Sequence, residues 1–367
     1  MGVVTFPIKE AGTVPLAQLI DILSPETNDL CLLTGDRGYA YFIGDERVRL
    51  LELKHEMGHS KFSRISNYVQ TQLRMAYWMM KCSKSVDEWI FFIGGDTLLI
   101  PMFTARILRK PVILTFAGSN IKTYESMGDK LSHQLYFLSL INCALCHKIV
   151  VYSPRLVEDY GLNTFRTKIM IAHRHFVDFD LFRQTTELDH RGMIIGYIGR
   201  LSEEKGVHLL AEAVAKISDP RLELLIIGDG QLHDSLESFI RTNGLEQRIH
   251  LLGWIPHERL GEQLNRLRLL VLPSYTEGLP NIVLEAMACG TPVLANRVGS
   301  IPDVITDGMT GYIMEDNSVQ SICGNIQRAL LDTGLKEVAE RGMRLVEKEH
   351  TYESATKIWR KVLRTGE

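Results

Sequence analysis

Residues 273–290 read Pro273-Ser274-Tyr275-Thr276-Glu277-Gly278-Leu279-Pro280-Asn281-Ile282-Val283-Leu284-Glu285-Ala286-Met287-Ala288-Cys289-Gly290. Just before them, Leu269 to Leu272 is a short apolar run of the kind that forms a strand covered on both faces. Pro280 stands where a helix starts, Asn281 to Cys289 carries apolar residues at helical spacing, and Gly290 closes that helix before Pro292 to Ala295 opens another strand. Strand, helix, strand at this pace is the repeating unit of a parallel, doubly wound sheet. Ligands of such sheets bind beyond the carboxyl ends of the strands, where a helix start offers N–H groups to an anion. The backbone of Gly278, Leu279, Pro280, Asn281, Ile282 and Val283 is therefore expected to face a phosphate. Glu277 in the loop and Glu285 in the second helical turn can flank it and accept hydrogen bonds from sugar hydroxyls. A plainer reading leaves both as surface charges near a helix N-terminus, where carboxylates are favoured anyway.

The same rhythm extends outward. Met193 to Ile198, Leu222 to Ile227 and Ile249 to Leu252 read as strands, with helices expected over Val207 to Ile217, Leu232 to Thr242 and Glu258 to Asn265. After the first of these strands comes Gly199-Arg200-Leu201-Ser202-Glu203-Glu204-Lys205-Gly206. Two cations five residues apart on a strand-to-helix loop can converge on one diphosphate, Arg200 with a planar fork and Lys205 with a point charge. In isolation such a pair is more often solvated. Beside the Glu277 segment, in one sheet, the pair reads as a binding feature.

The first half repeats the theme, with strands expected at Val3 to Phe6, Leu30 to Leu33, Val48 to Leu53, Trp89 to Ile93, Val112 to Thr115, Ile149 to Tyr152 and Ile169 to Ala172. Two α/β domains follow, over residues 1–185 and 186–350. The stretch Phe176 to Arg191 has no periodicity and is expected to link them, and residues 351–367 are expected to form a helix returning to the first domain. Two domains also suit 367 residues that are 45% hydrophobic, more than one core usually holds.

Charge and cysteine content exclude several classes. A formal net charge of -3 gives no case for nucleic acid. Residues 1–185 carry 21 Lys and Arg against 18 Asp and Glu, and residues 186–367 carry 20 against 26, so the first half is mildly basic and the second acidic. Six scattered cysteines are not a disulfide framework and point to a reducing cytoplasm. The N-terminus does not read as a signal peptide, and no apolar run reaches the roughly 20 residues needed to span a bilayer.

Together with Ile227-Gly228-Asp229-Gly230 and Leu252-Gly253-Trp254, the two loop segments resemble the C-terminal domain of retaining family-four glycosyltransferases, closely over Met193 to Met314. The resemblance implies a GT-B fold, two Rossmann-like domains facing each other across a cleft, with a nucleotide diphosphate sugar (UDP or GDP) held mainly by the second domain. It implies hexosyl transfer with retention to a glycan, lipid-linked or small-molecule acceptor, as in polysaccharide or glycolipid biosynthesis, with no cofactor and no obligatory metal. By position, Arg200 and Lys205 match the diphosphate-binding pair, Glu277 the carboxylate that addresses the donor sugar and Glu285 the one that binds ribose. Gly253, Trp254 and Ile255 fall where the base is read, and Gly199 and Gly228 line the donor site. In the first domain, Gly12 and Thr13 stand at the family's glycine-rich loop. Ala117-Gly118-Ser119-Asn120 stands where many members read histidine, glycine, serine, aspartate. Ala117 in place of histidine, with the other departures in the first domain, prompts a rival reading, a non-catalytic nucleotide-sugar-binding scaffold; an epimerase of the same fold is a further rival among enzymes.

Two further segments admit more than one reading. Cys143-Ala144-Leu145-Cys146-His147 has the spacing of a haem or metal motif, but it ends an apolar helical run and is expected to be core. From Lys54 to Lys84 six cations meet one carboxylate, Glu56, among Met75, Tyr77, Trp78, Met79 and Met80. Such a helix can lie peripherally on an anionic membrane, at its cytoplasmic face. It can equally pack on the sheet through the stripe Phe62, Ile65, Val69, Leu73, Ala76 and Met80.

Overall fold

The computed structural model describes residues 1–9, 12–56, 58, 60–116 and 132–364. They form two compact units, Met1–His175 with the chain from Ala355 onward, and Phe176–Ser354.

The first unit runs β1 (Gly2–Thr5), α1 (Thr13–Leu23), β2 (Cys31–Thr34), α2 (Asp36–Phe42), β3 (Arg49–Glu52), α3 (Lys61–Cys82), β4 (Trp89–Phe92), α4 (Leu99–Ile107), β5 (Val112–Phe116), α5 (Ser132–Leu145), β6 (Lys148–Val151), α6 (Pro154–Asp159) and β7 (Ile169–Ile171). Its sheet is parallel throughout, in the order β3-β2-β1-β4-β5-β6-β7. The central strands, Trp-Ile-Phe-Phe in β4 and Val-Ile-Leu-Thr-Phe in β5, are buried at every position, because helices cover both faces of a parallel sheet. The edge strand β3, Arg-Leu-Leu-Glu, keeps its charged ends exposed.

The second unit runs β8 (Ile194–Ile198), α7 (Val207–Lys216), β9 (Glu223–Ile227), α8 (His233–Thr242), β10 (Ile249–Gly253), α9 (Leu260–Leu264), β11 (Leu269–Leu272), α10 (Asn281–Ala288), β12 (Val293–Asn296), α11 (Ile301–Val304), β13 (Tyr312–Met314), α12 (Val319–Leu331) and α13 (Leu335–Glu349). The strand order is β10-β9-β8-β11-β12-β13, again all parallel. Successive strands add on one side as far as β10, and the chain then returns to place β11 on the other side of β8. That reversal opens a crevice at the carboxyl ends of β8 and β11. It sets the loop carrying Arg200 and Lys205 beside the loop carrying Glu277.

Helix α14 (Tyr352–Arg364) begins in the second unit and from Ala355 belongs to the first. Trp359 is fully buried there and donates its indole N–H to His173 O at 3.1 Å. Lys148 Nζ donates to Val362 O at 2.6 Å, placing a cation on the negative end of the helix.

In two places the structure departs from the sequence reading. The chain changes units at His175 and Phe176, so the stretch expected to be a linker is part of the second unit. Phe182 and Leu188 are buried in its core, and the buried Arg191 guanidinium donates to Thr186 O, Leu267 O, Cys289 O and Thr291 Oγ1. Burial pulls the Arg191 pKa down to about 10. One arginine satisfying a set of carbonyls fixes a segment that has no periodicity to read.

The second departure concerns α3, whose buried face lies beside the apolar stripe and meets it only at Ala76. Met75, Met79 and Cys82 are buried with Thr71 and Gln72, while Phe62, Ile65, Val69, Leu73 and Met80 are exposed. Of the expected stripe only Ala76 is inside. Polar anchors hold the helix this way round. Thr71 Oγ1 bonds Asn67 O and His55 Nδ1, Gln72 Oε1 accepts from Ile100 N–H, and Tyr68 OH donates to Thr97 O.

Cys143 and Cys146 are buried and unpaired at the end of α5, and burial pushes the Cys146 thiol up to about 11. Lys168 Nζ caps that helix by donating to Cys143 O, Ala144 O and Cys146 O.

Candidate functional site

The loop after β8 is built backbone first. Leu201 is buried, its N–H donates to Asp229 O at 2.9 Å and its carbonyl accepts from Leu232 N–H at 3.0 Å. Tyr197 OH donates to Arg200 O at 2.7 Å, and burial, with Glu277 nearby, pushes that phenol up, which keeps it a donor. A 3-10 turn over Glu203–Lys205 ends at Gly206, whose φ of +66° starts α7. These contacts fix the Cα positions of Arg200 and Lys205 and leave their long side chains to reach outward.

The loop after β11 is held from two sides. Tyr275 N–H donates to Glu204 O at 2.9 Å, tying it to the β8 loop, and Ser300 N–H donates to Gly278 O at 2.8 Å, tying it to the turn after β12. Beneath it, Asn296 Nδ2 donates to Ser274 O at 3.0 Å, and Asn317 bonds both Pro273 O and Asn296. Pro280 at the head of α10 supplies no side-chain cap, and the first turn of the helix has no acidic residue.

The two loops meet through an ion pair: Lys205 Nζ lies 2.7 Å from Glu277 Oε1, with the lysine 24% and the glutamate 12% exposed. The expected diphosphate cation and sugar carboxylate thus form one unit. Arg200 is different, because its guanidinium is more than half exposed and only 3.9 Å from Glu204 Oε1, a loose contact that leaves it free to turn toward an anion.

Glu285 is buried in the second turn of α10, where His257 Nε2 lies 2.8 Å from its Oε1. His257 comes from the β10 loop, three residues after Trp254. In that loop Gly253 has φ +68°, Trp254 is 73% exposed and Ile255 is half-buried. The hydrogen bond and charge of Glu285 raise the His257 pKa. Sequence reasoning missed His257, although it sits in the loop expected to read the base.

Gly199 and Gly228 lie where β8 and β9 end, with Gly199 N–H donating to Ile227 O and Gly228 N–H to Gly253 O. Leu279, Asn281 and Ile282 sit with Pro280 at the head of α10 as expected. In the first unit Gly12 precedes α1 and Thr13 is its first residue. Ala117, Gly118, Ser119 and Asn120 lie outside the described residues.

A doubly wound domain with paired charges and a helix start at its switch point belongs to the class whose ligands bind beyond the carboxyl ends of the strands. Residues 178–346 match the glycosyl transferases group 1 family. Alpha-D-kanosaminyltransferase of Streptomyces kanamyceticus is 31% identical over 263 residues, covering 66% of this chain and 67% of that one. The 2-deoxystreptamine N-acetyl-D-glucosaminyltransferase of Niallia circulans is 28% identical over 257 residues, a match that spans 65% of each chain. Among solved structures, Anabaena Alr3699/HepE, crystallised with UDP, superposes with a TM-score of 0.80 over the full length of both chains at 15% identity, a likeness of fold. The chain belongs to the group 1 glycosyl transferases, and its two parallel-sheet units are those of the GT-B fold.

Proposed function

We propose that this protein transfers a hexosyl group, with retention and without an obligatory metal, from a nucleotide diphosphate sugar held by the second unit to a glycan, lipid-linked or small-molecule acceptor. The observation that carries the reading is the Lys205–Glu277 pair at the switch point, 2.7 Å across two loops that the strand order brings together. Lys205 and Arg200 are the cations for a departing diphosphate, α10 offers its N-terminus to the same phosphates, and Glu277 accepts from the sugar hydroxyls. Two relatives named for aminosugar transfer support hexosyl chemistry, and the fold neighbour crystallised with UDP supports a uridine nucleotide as the donor to test first. The six unpaired cysteines favour the cytoplasm.

Calorimetry with UDP- and GDP-sugars, followed by a transfer assay with and without EDTA, tests the proposal. A protein that binds donors but turns none over would be a scaffold, and an absolute need for a divalent ion would remove the metal-free route.

Glu285→Ala is expected to weaken UDP and UDP-sugar about equally, by roughly ten-fold, since a ribose contact is common to both. KM should rise more than kcat falls. Unchanged nucleotide affinity would remove the ribose assignment.

His257 gives this site a pH dependence. Its folded pKa is raised by Glu285, so the stability of the pair is fully present below the ordinary imidazole value of 6.5 and is lost as pH rises through the raised value. His257 is 44% exposed, and solvent screening holds this contribution under about 1 kcal/mol. The imidazolium also competes with ribose hydroxyls for Glu285. Nucleotide binding is therefore expected to weaken about two- to five-fold on acidification through that range, and His257→Phe should flatten the profile. An identical profile in the variant would show that the imidazole does not govern Glu285.

A further inference from the structure

One stripe of the exposed side of α3 is apolar along its length. Phe62, 84% exposed, is followed by Ile65, Val69, Leu73, Tyr77 and Met80, all open to solvent at a three- or four-residue spacing that makes one stripe. Helix α4 packs along α3 and adds Phe103 and the 80% exposed Ile107. Helix α5 in turn packs on α4 and adds Phe137. Soluble monomers rarely leave apolar surface on neighbouring helices without a use for it.

Charge indicates what covers this face. The sequences of α3, α4 and α5 contain no Asp or Glu at all, whereas Arg64, Arg74, Lys81 and Arg106 are exposed on the first two, with Lys84 and Arg109 just beyond their ends. Tyr77 lies at the C-terminal end of the stripe, and Trp78, off the stripe and partly packed on the core, carries Lys81 Nζ 4.9 Å over its ring. Apolar side chains at the centre, aromatics and long cations at the margin and no carboxylate within the helices, the exposed Asp87 beyond α3 lying 3.6 Å from Lys110, are the composition of a surface lying in a membrane interface. A second copy of the chain fits less well, because a two-fold interface would set these cations against themselves. No helix among the described residues is long and apolar enough to cross a membrane, so the contact would be peripheral.

We propose that the α3–α4–α5 face of the first unit docks on the surface of an anionic lipid bilayer, with the Phe62-to-Met80 stripe entering the headgroup boundary and the flanking Arg and Lys side chains meeting lipid phosphates. The proposal is independent of the donor reading, because vesicle binding is measured without donor or acceptor. Co-sedimentation of the full chain should show at least about ten-fold stronger partitioning to phosphatidylcholine vesicles containing phosphatidylglycerol than to phosphatidylcholine alone, weakening as salt rises. Arg74→Gln with Lys81→Gln and Lys84→Gln should weaken binding by about five-fold per cation. Leu73→Asp, an exposed position that folding does not bury, should abolish binding while circular dichroism stays as in wild type. Wild-type protein that ignores anionic vesicles at low salt, or a Leu73→Asp variant that binds as wild type does, would overturn the proposal. A dimer in sedimentation velocity that Leu73→Asp dissociates would also overturn it, by assigning the face to a second copy.

Discussion

Lys205→Ala and Arg200→Ala are each expected to lower kcat by about 100- to 1000-fold, with a smaller effect on donor affinity. Sugar transfer leaves roughly two developing negative charges on the departing diphosphate, and a preorganised donor aimed at developing charge is worth on the order of 3 to 4 kcal/mol. The two residues should fail in different ways. Lys205 is half-buried against Glu277, so its removal leaves a carboxylate that is 12% exposed without a partner, and the variant should also lose stability. Lys205→Ala with Glu277→Gln should regain that stability and none of the rate. Arg200 is exposed and only loosely held, so Arg200→Ala should melt as wild type does, and Arg200→Lys should restore part of the rate because it returns the charge without the planar fork. The double alanine variant should lose less than the two single losses summed, since both cations act on one leaving group. Full activity in either single variant would overturn the assignment.

The strength of this arrangement lies in topology. Residues 205 and 277 are far apart in the chain, and neither segment alone distinguishes a phosphate cradle from solvated loop charges. The reversal of strand order between β8 and β11 brings the loops together, and the Tyr275 N–H to Glu204 O bond fixes their register. A lysine held by a carboxylate before substrate arrives is already placed, so little reorganisation is left for the moment of reaction.

What the sequence shows of this fold follows the physics of parallel strands. Buried strands such as Ile194–Ile198 and Trp89–Phe92 are continuous apolar runs with turn residues on either side, and their positions are plain from the residues. β13, three residues long, is too short to carry a pattern and is visible only through its pairing with β12. That Arg200, Lys205 and Glu277 lie in loops after strands, and Glu285 in the helix that follows, is legible because the apolar runs on either side mark where each strand ends. His257 is not, since nothing at that position announces that it will meet a carboxylate twenty-eight residues on. The face of α3 misleads for a related reason. Hydrophobic periodicity assumes that the apolar stripe is the buried one, but Thr71, Gln72 and Tyr68 find partners in His55, the first turn of α4 and Thr97 and turn a different side inward.

Gly228→Ala is expected to cost at least about 3 kcal/mol and to lower Tm by roughly 6 to 12 °C, the largest stability loss predicted for a single methyl group here. At φ +135° the backbone of Gly228 lies outside the region that side chains tolerate, and a Cβ would stand 1.9 Å from Gly199 O and 2.9 Å from Gly199 C. Those are backbone atoms, which no rotamer change can move. Nor can the chain back away cheaply, because Gly228 N–H donates to Gly253 O at 2.8 Å and Gly199 N–H to Ile227 O at 2.9 Å, lacing the ends of β8, β9 and β10 together. Any shift that relieves the clash must loosen the loop that carries Arg200 and the one that carries Trp254, so nucleotide affinity should fall with stability. Gly244→Ala is the control: its φ is +63° and a Cβ there meets nothing within 4 Å, leaving only a dihedral penalty of about 1 to 2 kcal/mol. Thermal melts of the two variants, with and without UDP, separate steric contact from backbone preference. Equal melting temperatures for the pair would show that the strand ends do not approach as closely at Gly228 and Gly199 as the fold requires.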